Sequence, residues 1–476
     1  KAFELKMKKI QSIGLLFVGL LGGFFVSFAL SVAADKNASS SLPIEDLKKF
    51  ANVYGAIKAN YVEDVKDSKL IKGAVSGMLS GLDPHSTYLD EDAFKDLQVG
   101  TQGQFGGLGI EVGTQDGLIK VVSPIENTPA ARAGIQSGDL IIKINSKATK
   151  GMSLGDAVKL MRGKPKTDIK LTVVRDGAPA PIVFTITRDI IQVQSVRSKL
   201  IENDIGFVRI SQFQEKTTEG VVTHINRIIE ESNKNSSTLK GLVLDLRNDP
   251  GGLLHAAVGV SAAFLEPGLL VVSTDGKQQE SQREFYAKEN DYSRTGQDPL
   301  AKLSPLARTI PMVVIVNGGS ASASEIVAGA LQDHKRAKIL GTQSFGKGSV
   351  QTILPLSNNT AIKLTTARYF TPSGETIQAK GIKPDLWVEE TEEGDVSDRL
   401  RVREIDLNRH LDETEKTQDA TGKESATDQR KSASQDSNSG QRKPIEFGSK
   451  EDFQLTQAMN HLRGLPVKTS KPMTEN

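Results

Sequence analysis

The sequence predicts an α/β protein with a helical N-terminal region, a small inserted β-domain and a C-terminal helical tail. Three observations support this. Between residues 191 and 385 apolar strand-like runs alternate with amphipathic helical runs. Between 105 and 190 the runs are short and alternating, with an Asp116-Gly117 turn signal between the first two. Before residue 100 the apolar residues recur at three- and four-residue spacing. At 476 residues the chain is long enough for two or three domains with their own cores.

Composition excludes several functions. The 60 Lys and Arg nearly balance the 58 Asp and Glu, so no nucleic-acid or other polyanionic partner is expected. The absence of cysteine rules out a thiol nucleophile, thiolate metal sites and disulfides. The six histidines include no H-x-x-x-H pair, so neither a metal nor another cofactor is expected.

In chain order, Met7-Lys8-Lys9 precedes an uncharged apolar stretch, Ile10 to Ala34, that ends in SVAAD. Residues 1–34 therefore read as a cleaved signal peptide or as a retained membrane anchor, and both remain open. Either way the remainder is exported, to the periplasm of a bacterial envelope. Residues 40–100 form the helical region, through PIEDLKKFANVYGAIKANYVEDV and DSKLIKGAVSGMLSGL. LDPHSTYL then makes a proline-centred turn, where His85 is expected to hydrogen-bond locally. Residues 101–190 form the β-domain, with one helix through LGDAVKLMRG. The core spans 191–390, with strands in IGFVRIS, LKGLVLDLR, LLVVST, PMVVIVN, AKIL, SVQTILPL and AIKLTTARYF. Asp245 and Arg247, at the end of a buried strand, are expected to pair. Within 391–476, the polar stretch 411–445 reads as a disordered linker and 452–465 as a terminal helix.

The chemistry concentrates in VVIVNGGSASASEIVAGALQD and, just beyond, GTQSFGKGSVQ. An apolar strand runs into a Gly-Gly turn and then a helix, projecting the Ser322 hydroxyl beside unsatisfied helix N–H groups. Lys347, framed by Gly346 and Gly348, can approach such a hydroxyl closely. Ser–Lys is a known nucleophile–base variant. Two plainer readings compete. Ser322-x-x-Glu325 is also a helix capping box. Gly341 to Lys347 matches G-x-x-x-x-G-K, but Gly348 replaces the magnesium-binding hydroxyl residue and a strand follows where a P-loop needs a helix. The nucleotide reading fails.

SASASE and FGKGSVQ stand 25 residues apart, Ser322 to Lys347, and with DLRNDPGG at 245–252, LDPHSTYL at 82–89 and the stretch 103–190 they form a set. This set resembles the carboxyl-terminal processing (tail-specific) proteases. The resemblance implies a crotonase-like spiral α/β core, an inserted PDZ domain, Ser322 as nucleophile, Lys347 as general base and Gln351 as the residue that helps hold the lysine. On a straight strand, positions four apart sit about 13 Å from each other, so either the glycines around Lys347 bend the chain or Lys347 reaches along it for the two to meet. A lysine titrates near 10.4, and lowering it to about 8 takes on the order of 3 kcal/mol, which burial near Phe345 and Val350 could supply. Amides of Gly251, Gly252 and Ala323 are the expected oxyanion donors, with a plain tight turn as the alternative for the glycines.

In the PDZ-like stretch, Gly107-Leu108-Gly109-Ile110 corresponds to the loop that captures a peptide carboxylate. Leu108, Ile110, Val158 and Met161 would line the pocket for the last side chain, unless they merely fill the domain's core. Arg162 sits where the family has an arginine linking peptide occupancy to the protease, while Lys166 stands where the family more often has glycine. The expected function is thus a serine endopeptidase cutting exported proteins near their C-termini. The alternative is a PDZ-type peptide-binding scaffold without catalysis. Expected partners are proteins with exposed apolar C-terminal tails. An activating adaptor, a homo-oligomer and an N-terminal membrane anchor stay open.

Overall fold

The structure is a computed structural model that describes residues 42–294, 296–394, 402–412 and 446–470. The expected signal or anchor segment and most of the expected linker lie outside the described residues. Among the described residues no helix is long and apolar enough to cross a membrane. The chain divides into two compact units, Lys1–Val75 and Ser76–Asn476.

In the first unit, helix Ile44–Asn60 stops where Tyr61 turns extended, and the Lys58 amine meets Asp67, at the start of the next helix, at 2.9 Å. Both helices were expected from their periodicity.

The second unit is built on a six-stranded sheet. Its order is Val196–Ile201, Ile205–Ile210, Gly241–Asp245, Met312–Val316, Lys338–Gly341 and Leu386–Trp387. The first pair is antiparallel and the rest are parallel. Parallel strands are covered on both faces and so read as unbroken apolar runs, as in GLVLD and MVVIV, every residue of which is buried. Their side chains divide by strand alternation. Leu242, Leu244, Val314 and Val316 meet helices Thr217–Lys234, Leu254–Phe264 and Ala323–Asp333. Val243, Val313 and Ile315 face the other way, onto Leu455, Ala458 and Met459 of helix Phe453–Leu462. The amphipathic C-terminal helix read from the sequence is therefore what closes the second face of the core.

A buried ion network fastens that helix. Arg247 donates to Asp245 at 2.9 Å through Nε and NH2, and to Asp452 at 2.6 and 2.9 Å. The expected Asp245–Arg247 pair is thus present and extends to the helix N-cap, since Asp452 also accepts from Leu455 N–H. Hydrogen bonds and opposite charge in this network hold the Asp245 carboxyl below the ordinary aspartate range despite its burial.

The β-domain is an antiparallel sheet ordered Ile110–Gln115, Leu118–Pro124, Leu140–Ile144, Asp168–Val174 and Ile182–Thr187. Its first hairpin turns on Asp116 (φ 52°) and Gly117 (φ 73°), the left-handed pair that a two-residue hairpin requires. Strands Gln104–Gly107 and Asp189–Gln192 pair with each other where the chain enters and leaves this domain. They form a two-stranded stalk.

A further sheet carries the lysine. Strand Ala361–Phe370 lies at its centre, with Ser349–Pro355 along one edge. Thr87–Leu89 and Leu270–Gly276 share the other edge.

Arg247→Ala leaves the buried Asp245 and Asp452 carboxylates facing each other without their shared cation. The expected cost is about 3 kcal/mol in chemical denaturation, together with early proteolytic cutting of the chain after residue 446.

Candidate active site

Strand Met312–Val316 runs into Asn317 and the turn residues Gly318 and Gly319, and the chain then reverses into helix Ala323–Asp333. Ser322 is the residue at the corner, with φ 56° and ψ −111°. A left-handed conformation at a residue other than glycine costs on the order of 1–3 kcal/mol, so the surroundings must impose it. The two flanking serines do so. Ser320 Oγ donates to the Leu246 carbonyl at 2.8 Å, and Ser324 Oγ donates to the Asp249 carbonyl at 3.0 Å. The Ala321 N–H reaches the same Asp249 oxygen at 3.0 Å. Alternate serines of SASAS thus fasten the corner to Leu246 and to the NDPGG turn that follows it, and the middle one is left at the bend.

Gly251 packs directly on that bend. A Cβ there would lie 2.9 Å from Ser322 Cβ and 2.8 Å from the Ala323 nitrogen, and its φ is +93°. Only glycine fits. Its own N–H, however, donates to Asp249 Oδ1 at 2.8 Å. Of the three expected oxyanion donors, Gly252 and Ala323 keep N–H groups without a hydrogen-bond acceptor among the described residues. Gly251 supplies clearance instead. Burial pushes the Asp249 carboxyl up to about 8.

The lysine loop reaches this corner through Glu325. Its carboxylate is fully buried and accepts four hydrogen bonds. Oε2 takes Ser322 N–H at 2.7 Å and Lys347 N–H at 3.0 Å. Oε1 takes Gly346 N–H at 2.7 Å and Ser344 Oγ at 2.5 Å. One oxygen therefore bonds the backbone of both candidate catalytic residues, and their main chains are no farther apart there than two hydrogen bonds end to end. The capping box is present, but unequally. The carboxylate caps Ser322 N–H, whereas Glu325 N–H donates to the Ser322 carbonyl at 2.9 Å. Burial pushes the Glu325 carboxyl up to about 7, against the four donors, which favour its charge.

Burial also lowers the Lys347 amine to about 8. Lys363 pushes the same way, while Glu404, Glu325 and Asp83 oppose. Among the described residues this amine makes no hydrogen bond or ion pair, and none joins it to the Ser322 hydroxyl. The buried Tyr369 hydroxyl interacts with the Ser322 side chain, and burial raises that phenol to about 12. Gln351 follows a bulge between Val350 and Gln351. Its carboxamide nevertheless donates to Ser349, to the carbonyl at 3.1 Å and Oγ at 3.0 Å, and not to the lysine.

In the β-domain, Leu108, Ile110, Val158 and Met161 meet in one apolar cluster. Leu108 and Met161 are buried in its core, while Ile110 and Val158 are half-buried at its rim. Gly109 (φ +77°) presses on Thr128, where a Cβ would come within 2.3 Å. The carbonyls of Leu108 and Gly109 bond Ala130 and Ile125 N–H, while their own N–H groups have no acceptor among the described residues. Gly107, by contrast, belongs to the stalk, opposite Asp189. Arg162 ends helix Leu154–Met161, donates to Asp96 at 3.1 Å and covers the Phe105 ring at 4.8 Å. Lys166 has φ 65°, which explains why glycine suits that position. Asp333 accepts Ser373 N–H at 2.8 Å and so fixes a turn.

One expectation is corrected. The His85 backbone N–H does bond locally, to Asp83 Oδ1 at 2.8 Å, but its ring Nε2 reaches Glu404 at 2.8 and 3.0 Å. No local pattern could indicate a partner 319 residues away.

Comparison with known proteins shows the family. The model for peptidase family S41 matches residues 204–388, a PDZ domain model matches 120–175, and that for the activating protease CtpB N-terminal domain matches 27–93. A carboxy-terminal-processing protease of Bartonella bacilliformis is 44% identical over 96% of this chain and 98% of its own length. The chain belongs to peptidase family S41. The protease is also similar to carboxy-terminal processing protease CtpA of Bacillus subtilis, at 36% identity over 77% of this chain and 73% of that protein. Among solved structures, the photosystem II D1 C-terminal processing protease is 29% identical, covering 71% of this chain and 85% of that one with a TM-score of 0.38.

Glu325→Gln would place an amide N–H2 among donors that already converge there. The protease variant is expected to lose on the order of a hundredfold in kcat by misplacing the loop, read beside the melting temperature to show that the fold persists.

Proposed function

We propose that the protease is a serine endopeptidase that cuts exported proteins near their C-termini, with Ser322 as nucleophile and Lys347 as general base. The observation that carries this reading is the single Glu325 oxygen bonded to the N–H of both residues. Beside it stands a lysine amine held near 8 by burial, with no carboxylate paired to it among the described residues. A lysine serves as a base only while neutral, and this environment removes most of the obstacle.

In the reaction, the neutral Lys347 nitrogen takes the Ser322 proton as Oγ bonds to the scissile carbonyl carbon. The carbonyl electron pair moves to oxygen, where the Gly252 and Ala323 N–H groups receive it. Collapse re-forms the carbonyl and breaks the C–N bond, while the lysine returns its proton to the departing amine. Water then attacks the acyl-enzyme with the lysine again as base. Gln351 takes part through Ser349, at the base of the lysine loop.

The Leu108 and Gly109 N–H groups would receive the terminal carboxylate of a substrate tail, with Ile110 and Val158 at the mouth of the apolar site. The tail would add as a strand beside Ile110–Gln115, an edge strand of its sheet. The stalk joins this capture site to the core, and Arg162, bonded to Asp96 at the stalk's base, is placed to couple them. A crotonase-like spiral core suits the mainly parallel sheet. The apolar segment before residue 35 supports an envelope location.

The test uses an unfolded protein substrate ending in apolar residues. Ser322→Ala and Lys347→Ala should each reduce kcat to background while leaving the fold intact. Because the base must lose its proton, kcat/KM should fall about tenfold per pH unit below the Lys347 pKa of about 8 and level off above it. Cleavage by both variants at the wild-type rate would reject the mechanism.

A further inference from the structure

We propose that Glu404 is a positioning residue for Lys347, acting with His85 and Gln378 as a second buried clamp on the lysine loop. The inference rests on the reading of Lys347 as base, and it concerns a residue outside the 204–388 stretch that the peptidase family model matches.

Glu404 sits in a short turn, Glu404–Asp406, within the described segment 402–412. The burial pattern of this segment is inverted. Val402 and Ile405 are 58% and 49% exposed, while Glu404 between them is 0% exposed. Simple anchoring would bury an apolar side chain, which carries no desolvation cost. A carboxylate buried in its place needs partners, and those it has lead to the lysine. His85 Nε2 binds it at 2.8 and 3.0 Å, and Gln378 Nε2 donates to Oε1 at 3.0 Å. The other end of the Gln378 carboxamide accepts Gly348 N–H at 3.1 Å. The backbone N–H of Glu404 donates to the Phe345 carbonyl at 3.1 Å.

Glu325 therefore holds Ser344, Gly346 and Lys347, while the Glu404 clamp holds the residues between and after them, Phe345 and Gly348. Contact at Gly348 is close, since a Cβ there would lie 2.2 Å from the Gln378 nitrogen. The loop thus has little freedom left, and the direction in which Lys347 leaves it is set by both carboxylates. Burial opposes the charge on Glu404, but the hydrogen bonds from His85 and Gln378 outweigh it and hold the carboxyl below the ordinary glutamate range. The charged groups facing the Lys347 amine are Lys363 from its neighbouring strand, Glu325 from the serine helix, Asp83 from the turn before Thr87 and Glu404 itself.

The experiment is the pH profile of kcat and of KM for Glu404→Gln in the full chain, beside wild type and Lys347→Ala. Glu404→Gln keeps the shape and removes the charge. The expected result is a kcat lower by roughly ten- to a hundredfold, an unchanged KM, and an acid limb moved to lower pH, because a carboxylate favouring the protonated amine is gone. Wild-type kcat with an unmoved acid limb overturns the inference. Where circular dichroism shows Glu404→Gln unfolded, Gln378→Met is measured instead. It leaves the His85–Glu404 pair whole and cuts the link to Gly348, so a loss in kcat at unchanged KM supports the clamp and wild-type kcat overturns it. An inactive Lys347→Ala beside an indifferent Glu404 or Gln378 variant removes this inference alone. An active Lys347→Ala removes the dyad itself.

Discussion

One buried carboxylate organises the site. Glu325 lies one turn into the serine helix and accepts from the corner behind it and from a loop some twenty residues ahead. Its four donors explain why a strained serine and a glycine-framed lysine occupy the same small volume. A charge placed there without them would cost several kcal/mol to bury, so the bonds and the burial are mutually dependent. The same geometry occupies the Glu325 carboxylate, and among the described residues no carboxylate pairs with the lysine amine. The negative charge is held by backbone N–H groups and one hydroxyl, which leaves the amine free to lose its proton.

Around this centre the fold separates rigid parts from connected ones. The mainly parallel sheet is covered on one face by the serine helix and its neighbours, and on the other by the C-terminal helix, which the Arg247 network holds. The serine corner is thereby attached to the most buried part of the molecule. The β-domain, in contrast, meets the chain through a two-stranded stalk with Arg162 and Asp96 beside it. Catalytic geometry calls for the first kind of attachment. The proposed capture of chain ends suits the second.

Much of this was legible in the chain itself. The strand runs GLVLD and MVVIV, the hairpin at Asp116-Gly117, the serine corner and the terminal amphipathic helix all followed from local pattern, because each is dictated by neighbours within a few residues. Gln351 shows where such reasoning stops. A bulge precedes it, yet its carboxamide found an acceptor in Ser349 rather than in the lysine. Gly251 is similar, since glycine was rightly singled out but its N–H serves Asp249. Glu325 was visible only as half of a helix cap, and its bonds to the lysine loop depend on two strands meeting across different sheets.

The sequence by itself determined the elements, the apolar faces, the serine at a helix corner and the glycine frame of the lysine, for these arise from propensity, periodicity and backbone freedom over short spans. Only the tertiary structure decided which polar groups satisfy one another: Glu325 with the lysine loop, Asp452 with Arg247, and His85 with Glu404. The physical reason is that a buried charge must find its partners wherever folding places them, and distance along the chain carries no information about that.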